Sequence, residues 1–502
     1  MEDAATISSL PGEILAQIFK SGTVLSSGCI ASLIKYSAVS QRWRSAALDY
    51  PDLWTTINVS FAARNVVALV KTSLERSKSC LFDITLPVPP SADMAIVTSV
   101  MLLVVQHVHR LRRLAITGRL ASPTPFAFPN REEIFALLQN AQRAPRLAVL
   151  ELSFSDPQPY VSMGISPGQL LLQAPSLISF RIHGVTSPVP FVGLRSLDIQ
   201  GLRTSYADFR DMVVASPLLT ELVLPKLRLM LDPQSKSLAP IEIPSLKTLA
   251  LSFCKPHPSN QFAPCHALLP LLSLPNVEYL ELAGSEIPDL ATSCQPPSAF
   301  AKLRTLRLVN VSMVRKDEAD NCAYLRALTT VESLELIHSH AEYLVPTGSK
   351  PNSKLRLPKA RHRTRSISRE VRSRSLLRPV EQVHFDPGLA LPHEAPPSGP
   401  IYPNLRAVSL DTLIAAEALW LYQLVQERPD IRLVRLSAVA ERHLATSLRT
   451  VNDVLQESPS RLLENRIDAT DVHPVDVAKL LRERVAVAHI DDGYIQWQGA
   501  VI

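Results

Sequence analysis

The sequence Leu303-Arg-Thr-Leu306-Arg-Leu308 decides the fold, because it places apolar residues at the first, fourth and sixth positions of a short unit. The same spacing recurs twelve times, with Val, Ile or Phe in place of some leucines. The first and last units start 320 residues apart over eleven intervals, so the mean period is about 29 residues, as in repeat proteins. The units begin at Leu111, Leu147, Leu177, Leu194, Leu219, Leu246, Val277, Leu303, Val331, Val380, Leu405 and Ile431.

The spacing within a unit predicts a short strand, since the fourth and sixth residues are two apart and share one face. Helical patterns precede several units, at residues 132–144, 208–215 and 416–427. Proline shortly after a helix ends it and favours an extended chain, so helix, proline and strand in succession predict an α/β solenoid. Seven units have proline two residues before their first apolar residue: Pro145, Pro175, Pro217, Pro244, Pro275, Pro403 and Pro429.

This array resembles the leucine-rich repeat proteins, and the resemblance implies a horseshoe with the strands along its concave side. In that family the third residue after the last apolar position is usually Asn or Cys, and here only Cys254 matches. Intervals that range from 17 to 49 residues also indicate degenerate repeats. We therefore expect an irregular solenoid.

The 49-residue interval contains a basic insertion, residues 350–378, with eleven Lys or Arg residues and one acid, Glu370. The chain as a whole has a net charge of +6, so the remainder carries −4 (6 − 10), and the high pI does not indicate a nucleic-acid-binding body. Low apolar content predicts disorder from residue 348 to about 378, and the prolines between Pro387 and Pro403 predict an extended stretch after it.

Three interpretations of the basic insertion stay open, and they are not exclusive. It is a solvated loop, a nuclear-localisation or anion-binding patch, or a phosphorylation switch. The third rests on Ser366, Ser368 and Ser375, each of which has Arg three residues upstream. Phosphate there would sharply reduce the local positive charge.

A different pattern occupies the N-terminus. Leu10-Pro11-x-Glu13-Ile14-Leu15 begins an amphipathic helix with proline at its first position and Ser9 as a candidate cap. A second helix is predicted from Ile30 to about Ser40, after a Gly/Ser-rich link over residues 21–32. The block ends with Val39-Ser40-x-x-Trp43-Arg44 and Pro51-x-Leu53-Trp54-Thr-Thr-Ile57.

These motifs resemble the F-box over about residues 8–57, and the degenerate repeats after them resemble expanded fungal F-box families. The resemblance implies docking on a Skp-family adaptor, which is bound in turn to a cullin scaffold. About fifty residues cannot bury all of these large apolar side chains, so an apolar surface is left for a partner. The expected adaptor contacts are Leu10, Pro11, Ile14, Leu15, Ile18, Phe19, Val39 and Trp43.

The fifth residue of each unit would face the opposite side of the strand from the core. A phosphate-rich ligand would need a continuous positive stripe there, and the signs alternate instead. Mixed polarity favours a protein partner. The charged residues expected to contact it are Glu151, Arg181, Asp198, Glu281, Arg307, Glu335 and Arg435.

The sequence gives little support to catalysis or cofactor chemistry. His107-x-His109 and His338-x-His340 lack further ligands at metal-site spacing, and no nucleotide-binding or hydrolase motif occurs. We therefore expect no enzyme activity, metal or cofactor. The six dilute cysteines, the absence of a signal-peptide pattern and the lack of a spanning apolar run favour the cytoplasm or nucleus.

The resulting prediction is a small helical F-box followed by an irregular α/β solenoid. Its expected role is the substrate-recognition subunit of a ubiquitin ligase. The alternatives are a scaffold or orphan repeat protein that turns over no substrate and, more remotely, nucleic-acid binding through residues 350–378. The expected parts are the F-box at 1–60, a solenoid cap at 61–110, repeats at 111–440 with an insertion at 348–402, and a C-terminal cap at 441–502.

Overall fold

A computed structural model defines the fold over much of the chain. It describes residues 10–25, 29–89, 91–119, 136–138, 143–155, 173–183, 192–225, 227–230, 240–252, 268–269, 271–284, 300–311, 328–339, 402–412, 420–421, 424–425, 427–442, 444 and 485–489. The basic insertion, its three serines and Ser9 lie outside these residues. So do Cys254, most of the expected helices at 132–144 and 416–427, and most of the region after residue 440.

Helices are concentrated at the N-terminus. The bounds are α1 Gly12–Leu25, α2 Cys29–Ser37, α3 Gln41–Asp49, α4 Val66–Arg76, α5 Met94–Gln106 and α6 Tyr206–Val214. Two 3-10 turns, Pro51–Trp54 and Val108–Arg110, lead into strands. Among the helices that the structure describes, none is both long enough and apolar enough to cross a bilayer.

The strands of the main sheet follow one another along the chain. They are β1 Thr56–Asn58, β2 Phe82–Val88, β3 Leu111–Arg119, β4 Val149–Ser155, β5 Ser179–His183, β6 Ser196–Gln200, β8 Glu221–Leu224, β11 Thr248–Ser252, β13 Tyr279–Ala283, β14 Thr305–Val309, β15 Ser333–Ile337, β16 Ala407–Leu410, β17 Leu433–Leu436 and β18 Ala486–His489. Two parallel pairs lie outside it, β7 Arg203–Ser205 with β9 Arg228–Met230, and β10 Ile241–Glu242 with β12 Leu272–Ser273.

In the described part of the chain, the main sheet has fourteen strands, all parallel and ordered as they occur in the sequence. Equivalent positions of the repeated units are paired, as Leu280, Leu306 and Leu334 show across β13, β14 and β15. These leucines and the corresponding sixth-position residues are buried. The sheet begins before residue 111 and ends after residue 440, because β1, β2 and β18 extend the same ladder.

The recurrent prolines occupy a tight turn rather than simply ending helices. Leu219 N–H donates to the Ser216 carbonyl at 3.0 Å, so Pro217 is the second residue of a four-residue turn. The same bond recurs at Leu147, Leu177 and Leu405. Proline pre-sets the backbone angle that this turn position requires. Pro244 and Pro275 follow strands β10 and β12, so the succession of helix, proline and strand does not hold at these two units.

The first helix is longer than the sequence indicates. The Gly/Ser-rich stretch was expected to be a link, yet α1 continues through it to Leu25. Gly22 lies where α2 approaches closely, and a Cβ atom there would be 2.5 Å from the Tyr36 hydroxyl. Gly22 is therefore a contact residue within a helix and not a helix breaker. The second helix begins at Cys29, one residue before its expected start, and ends at Ser37, about three residues before its expected end.

Arg110 holds the first helix–strand layer together from inside. Its guanidinium donates to the Ser77 hydroxyl at 2.7 Å and to the carbonyls of Leu74 and Cys80, and it lies 5.1 Å from the centre of the Phe82 ring. Only 5% of Arg110 is exposed. Leu74 lies in the last turn of α4, whose carbonyls lack partners within the helix, so Arg110 caps this end of the helix and also bonds Cys80, four residues beyond it.

Arg110→Met is expected to lower the free energy of unfolding by about 3 kcal/mol, since buried carbonyls lose charge-assisted hydrogen bonds. Denaturant unfolding of the full chain measures the change. Arg64→Met is the matched control, because Arg64 is exposed, and it should change stability by less than about 0.5 kcal/mol. Equal effects of the two substitutions would contradict the role given to Arg110.

Candidate functional site

Helix α1 has apolar side chains on two sides, and only one of them meets the core. Leu15 and Phe19 are buried, whereas Ile14 and Ile18, one turn apart, are 40% and 44% exposed. The carbonyl of Pro11 accepts from Leu15 N–H at 3.1 Å, which starts the helix at Gly12. Exposed isoleucines at i and i+4 are neighbours on the helix and form a small apolar surface, which is a candidate partner site.

An aromatic cluster fixes the three N-terminal helices against one another. The Phe19 ring on α1 stacks on Tyr36 of α2 and contacts Trp43 of α3, with both ring centres 5.0 Å away. Ser40 caps α3 by accepting from Trp43 N–H at 3.1 Å. This packing orients α1 so that Ile14 and Ile18 face outward.

The expected adaptor residues therefore differ in how far they are buried. Pro11, Ile14, Ile18 and Val39 are exposed, and Leu10 and Trp43 are half-buried. Leu15 and Phe19 are corrected from surface contacts to core residues, since their side chains fill the space between the three helices.

Sequence reasoning missed two further exposed apolar side chains in these helices, Ile34 on α2 and Leu48 on α3. Their exposure depends on how the helices pack. No spacing rule within one helix predicts it.

The N-terminal helical unit matches a known family model. Residues 7–60 are an F-box-like domain. This confirms the resemblance at the N-terminus, and F-box domains bind Skp-type adaptors. The comparison with curated proteins found no match to this chain.

The F-box-like domain is joined to the sheet through a buried tryptophan. Trp54 donates from its indole N–H to the Ala47 carbonyl of α3 at 2.8 Å. The guanidinium of Arg76, at the end of α4, lies 4.4 Å from the centre of the Trp54 ring. β1 begins two residues later and pairs with β2. Because Trp54 is only 1% exposed, its packing connects the F-box-like domain to the sheet.

The fifth positions of the repeated units lie in one row across the sheet, as expected. Glu151, Arg181 and Asp198 are paired in register, and so are Glu281, Arg307 and Glu335. Their exposure differs from the expectation of an open surface. Asp198, Glu281, Arg307 and Glu335 are at most 3% exposed, whereas Glu151, Arg181 and Arg435 are partly exposed. Buried members cannot meet a partner directly, which corrects the predicted contact set.

The N-terminal part of this row forms a polar cluster. Arg113 pairs with Glu151 at 3.0 Å, and Arg181 pairs with Asp198 at 2.8 Å. The His183 ring lies 3.2 Å from both the Asp198 carboxylate and the Ser153 hydroxyl. These contacts satisfy the buried carboxylate of Asp198.

The central part of the row is a buried ion cluster. Arg307 lies between Glu281 at 3.5 Å and Glu335 at 3.6 Å, and the Tyr279 hydroxyl donates to Glu281 at 3.0 Å. Burial raises the pKa of Glu281 to about 7, and the opposing attraction of Arg307 limits the rise. Glu281, Arg307 and Glu335 are at most 3% exposed, so we interpret the pKa near 7 as a consequence of structural burial.

The described histidines that we considered as metal ligands lie at an open cleft or in an ion pair. His107 and His109 line an open cleft of about 530 Å³ with Lys78 and Arg110, and their ring centres are 6.4 Å apart. His338 pairs with Asp411 at 2.6 Å, and His340 lies outside the described residues. Within the described ranges, no three His, Cys, Asp or Glu side chains are grouped as metal ligands would be.

The raised pKa of Glu281 predicts a pH-dependent stability. The native state binds this proton more tightly than the unfolded chain, whose pKa is near 4.5, so stability falls as pH rises from about 5 to 8. Glu281→Gln removes that dependence, and the two proteins should diverge by up to about 3 kcal/mol across this range, at about 1.4 kcal/mol per pKa unit. Denaturant unfolding at both ends of the range measures the divergence.

Glu278→Gln is the control, because Glu278 is exposed beside the same strand, and its pH profile should follow that of the wild type. Parallel profiles for the wild type and Glu281→Gln would show that Glu281 titrates normally.

Proposed function

We propose that this protein is the substrate-recognition subunit of a Skp-cullin-F-box ubiquitin ligase. In this proposal the F-box-like domain docks on a Skp-family adaptor, and the strand-bearing region holds a target protein. The observation that carries the proposal is the exposed Ile14–Ile18 pair on α1, within residues 7–60 that match the F-box-like family. F-box proteins generally act as adaptors and not as enzymes.

The strand-bearing region is, in our proposal, a degenerate leucine-rich repeat solenoid. Support comes from parallel strands in chain order and from the register that pairs equivalent leucines. Ser339 adds further support. It occupies the third position after the last apolar residue of its unit, accepts from Val311 N–H at 3.0 Å and donates to the Leu308 carbonyl at 3.1 Å. A polar side chain there bonds the turn backbone, as Asn or Cys does in complete repeats.

The packing around Trp54 supports a rigid receptor. Because α3, the 3-10 turn and α4 all contact Trp54 or its neighbours, the adaptor surface and the first strands would keep a fixed orientation. A ligase needs such a fixed geometry, since ubiquitin transfer depends on the proximity of target lysines to the ubiquitin-carrying enzyme. We place the protein in the cytoplasm, the nucleus or both, where its ligase partners would be available.

The adaptor surface is tested by Ile14→Glu/Ile18→Glu, which should abolish co-purification with a Skp-family adaptor. Two carboxylates in an apolar interface would be desolvated without partners, so affinity should fall at least about a hundredfold. Thermal stability should stay close to that of the wild type, because both side chains are exposed. Val214→Glu/Leu218→Glu is the matched control, since these side chains are 60% and 56% exposed and lie outside the F-box-like domain.

Retention of the adaptor by Ile14→Glu/Ile18→Glu would contradict the assignment of this surface. Ligase activity needs a further test, in which the adaptor-bound protein is combined with the cullin scaffold and the ubiquitin-transfer enzymes. Ubiquitination of a protein that co-purifies with the repeats, lost in the same variant, is the expected result. Adaptor binding without any such transfer would favour a non-ligase scaffold.

A further inference from the structure

A second charged row lies at the edge of the sheet where the strands begin. It is formed by the residue that follows the first apolar residue of each unit. Backbone hydrogen bonds of 2.8–2.9 Å connect each member to the next, so the members are neighbours across the whole ladder. This edge row comprises Arg112, Ala148, Ile178, Arg195, Thr220, Lys247, Glu278, Arg304, Glu332, Arg406 and Arg432.

The edge row is basic and open to solvent. It has six cations and two acids, a net charge of +4, and all six cations are exposed. The chain outside the basic insertion carries a net charge of −4. Because the edge row contributes +4 to this value, the other residues outside the insertion carry −8 (−4 − 4). The fifth-position row differs, since its central ions are buried and paired.

Four of the six cations of the edge row are regularly spaced, whereas Arg112 pairs with Asp83 at 2.7 Å and Arg432 is next to Arg406. Arg195, Lys247, Arg304 and Arg406 occupy every second position, with Thr220, Glu278 and Glu332 between them. Neighbouring strands are about 4.8 Å apart, so successive cations are about 10 Å apart. Among the described residues, Arg195, Arg304 and Arg406 form no ion pair, and the Lys247–Glu278 pair is long at 4.0 Å and exposed. Their charges are available to a partner.

We propose that the edge row binds an extended acidic segment of the target protein, rich in Asp or Glu. An extended segment in the polyproline II conformation has three residues per turn and rises about 3.1 Å per residue, so carboxylates at every third residue lie on one face about 9.3 Å apart and match cations about 10 Å apart. A nucleic-acid strand carries a charge at every nucleotide and would meet Glu278 and Glu332 unfavourably. A phosphate dianion prefers clustered donors, whereas here single cations alternate with other residues. The inference rests on the proposed function only in taking the partner to be the target.

The direct test is fluorescence anisotropy of the adaptor-bound full chain with a labelled peptide that carries Asp at every third residue. Arg304→Glu/Arg406→Glu should weaken binding about tenfold or more, and rising salt should weaken it further. The control Arg64→Glu/Arg210→Glu makes the same change of charge at exposed sites outside the row and should leave the affinity within about twofold.

A second variant guards against loss of binding through misfolding. Glu278→Gln/Glu332→Gln removes the two acids of the row and should tighten peptide binding several-fold, which an unfolded protein cannot do. Equal affinity of the wild type and both row variants would overturn the proposal. So would tighter binding of single-stranded DNA, or of a phosphoserine peptide with the same spacing, at the same row. Because the adaptor is already bound in this assay, failure here is separate from failure of adaptor binding.

Discussion

The structure depends on the burial of two apolar side chains per strand against the two side chains at the equivalent positions of the next strand. Parallel pairing in register brings Leu280, Leu306 and Leu334 together, and the strands of the main sheet from β2 to β17 each bury such apolar side chains. A single unit cannot bury its own apolar face, so each strand is stable only with neighbours on both sides. The ladder therefore needs closure at its ends.

The N-terminal helices supply one such closure and the candidate partner surface together. Helix α2 contacts β1, and Trp54 packs between α3 and Arg76. Burial of Leu15 and Phe19 inside this unit leaves Ile14 and Ile18 outside. The same packing that ends the sheet thus exposes the apolar pair through which we propose that the protein meets its adaptor.

Much of this architecture is predictable from spacing alone. The distance between apolar residues predicts the strands and their register, because both follow from a period of two along a strand. The exposure of the charged row is not predictable in the same way. Arg307 and Arg435 occupy equivalent positions, yet Arg307 is paired in register with Glu281 and Glu335, whereas Arg435 lies between Ser409 and Ala488 of β18, a strand that the repeat pattern does not predict.

The adaptor surface shows the same limit. An amphipathic pattern places Ile14, Leu15, Ile18 and Phe19 on one broad face of α1, but which half is buried depends on where α2 and α3 pack. Gly22 is a further case, because its role appears only when Tyr36 is placed beside it. Local sequence thus predicts elements and faces, and tertiary packing decides which members of a face remain available.

The most direct measurement of the central claim is photo-crosslinking of the full chain to a Skp-family adaptor from a benzoylphenylalanine at position 18. A crosslink there, and none from the same probe at position 218, is the predicted result, because Ile18 and Leu218 are both exposed and only Ile18 belongs to the proposed interface. An adaptor that binds the chain without crosslinking at position 18, or that crosslinks equally at both positions, would contradict the account.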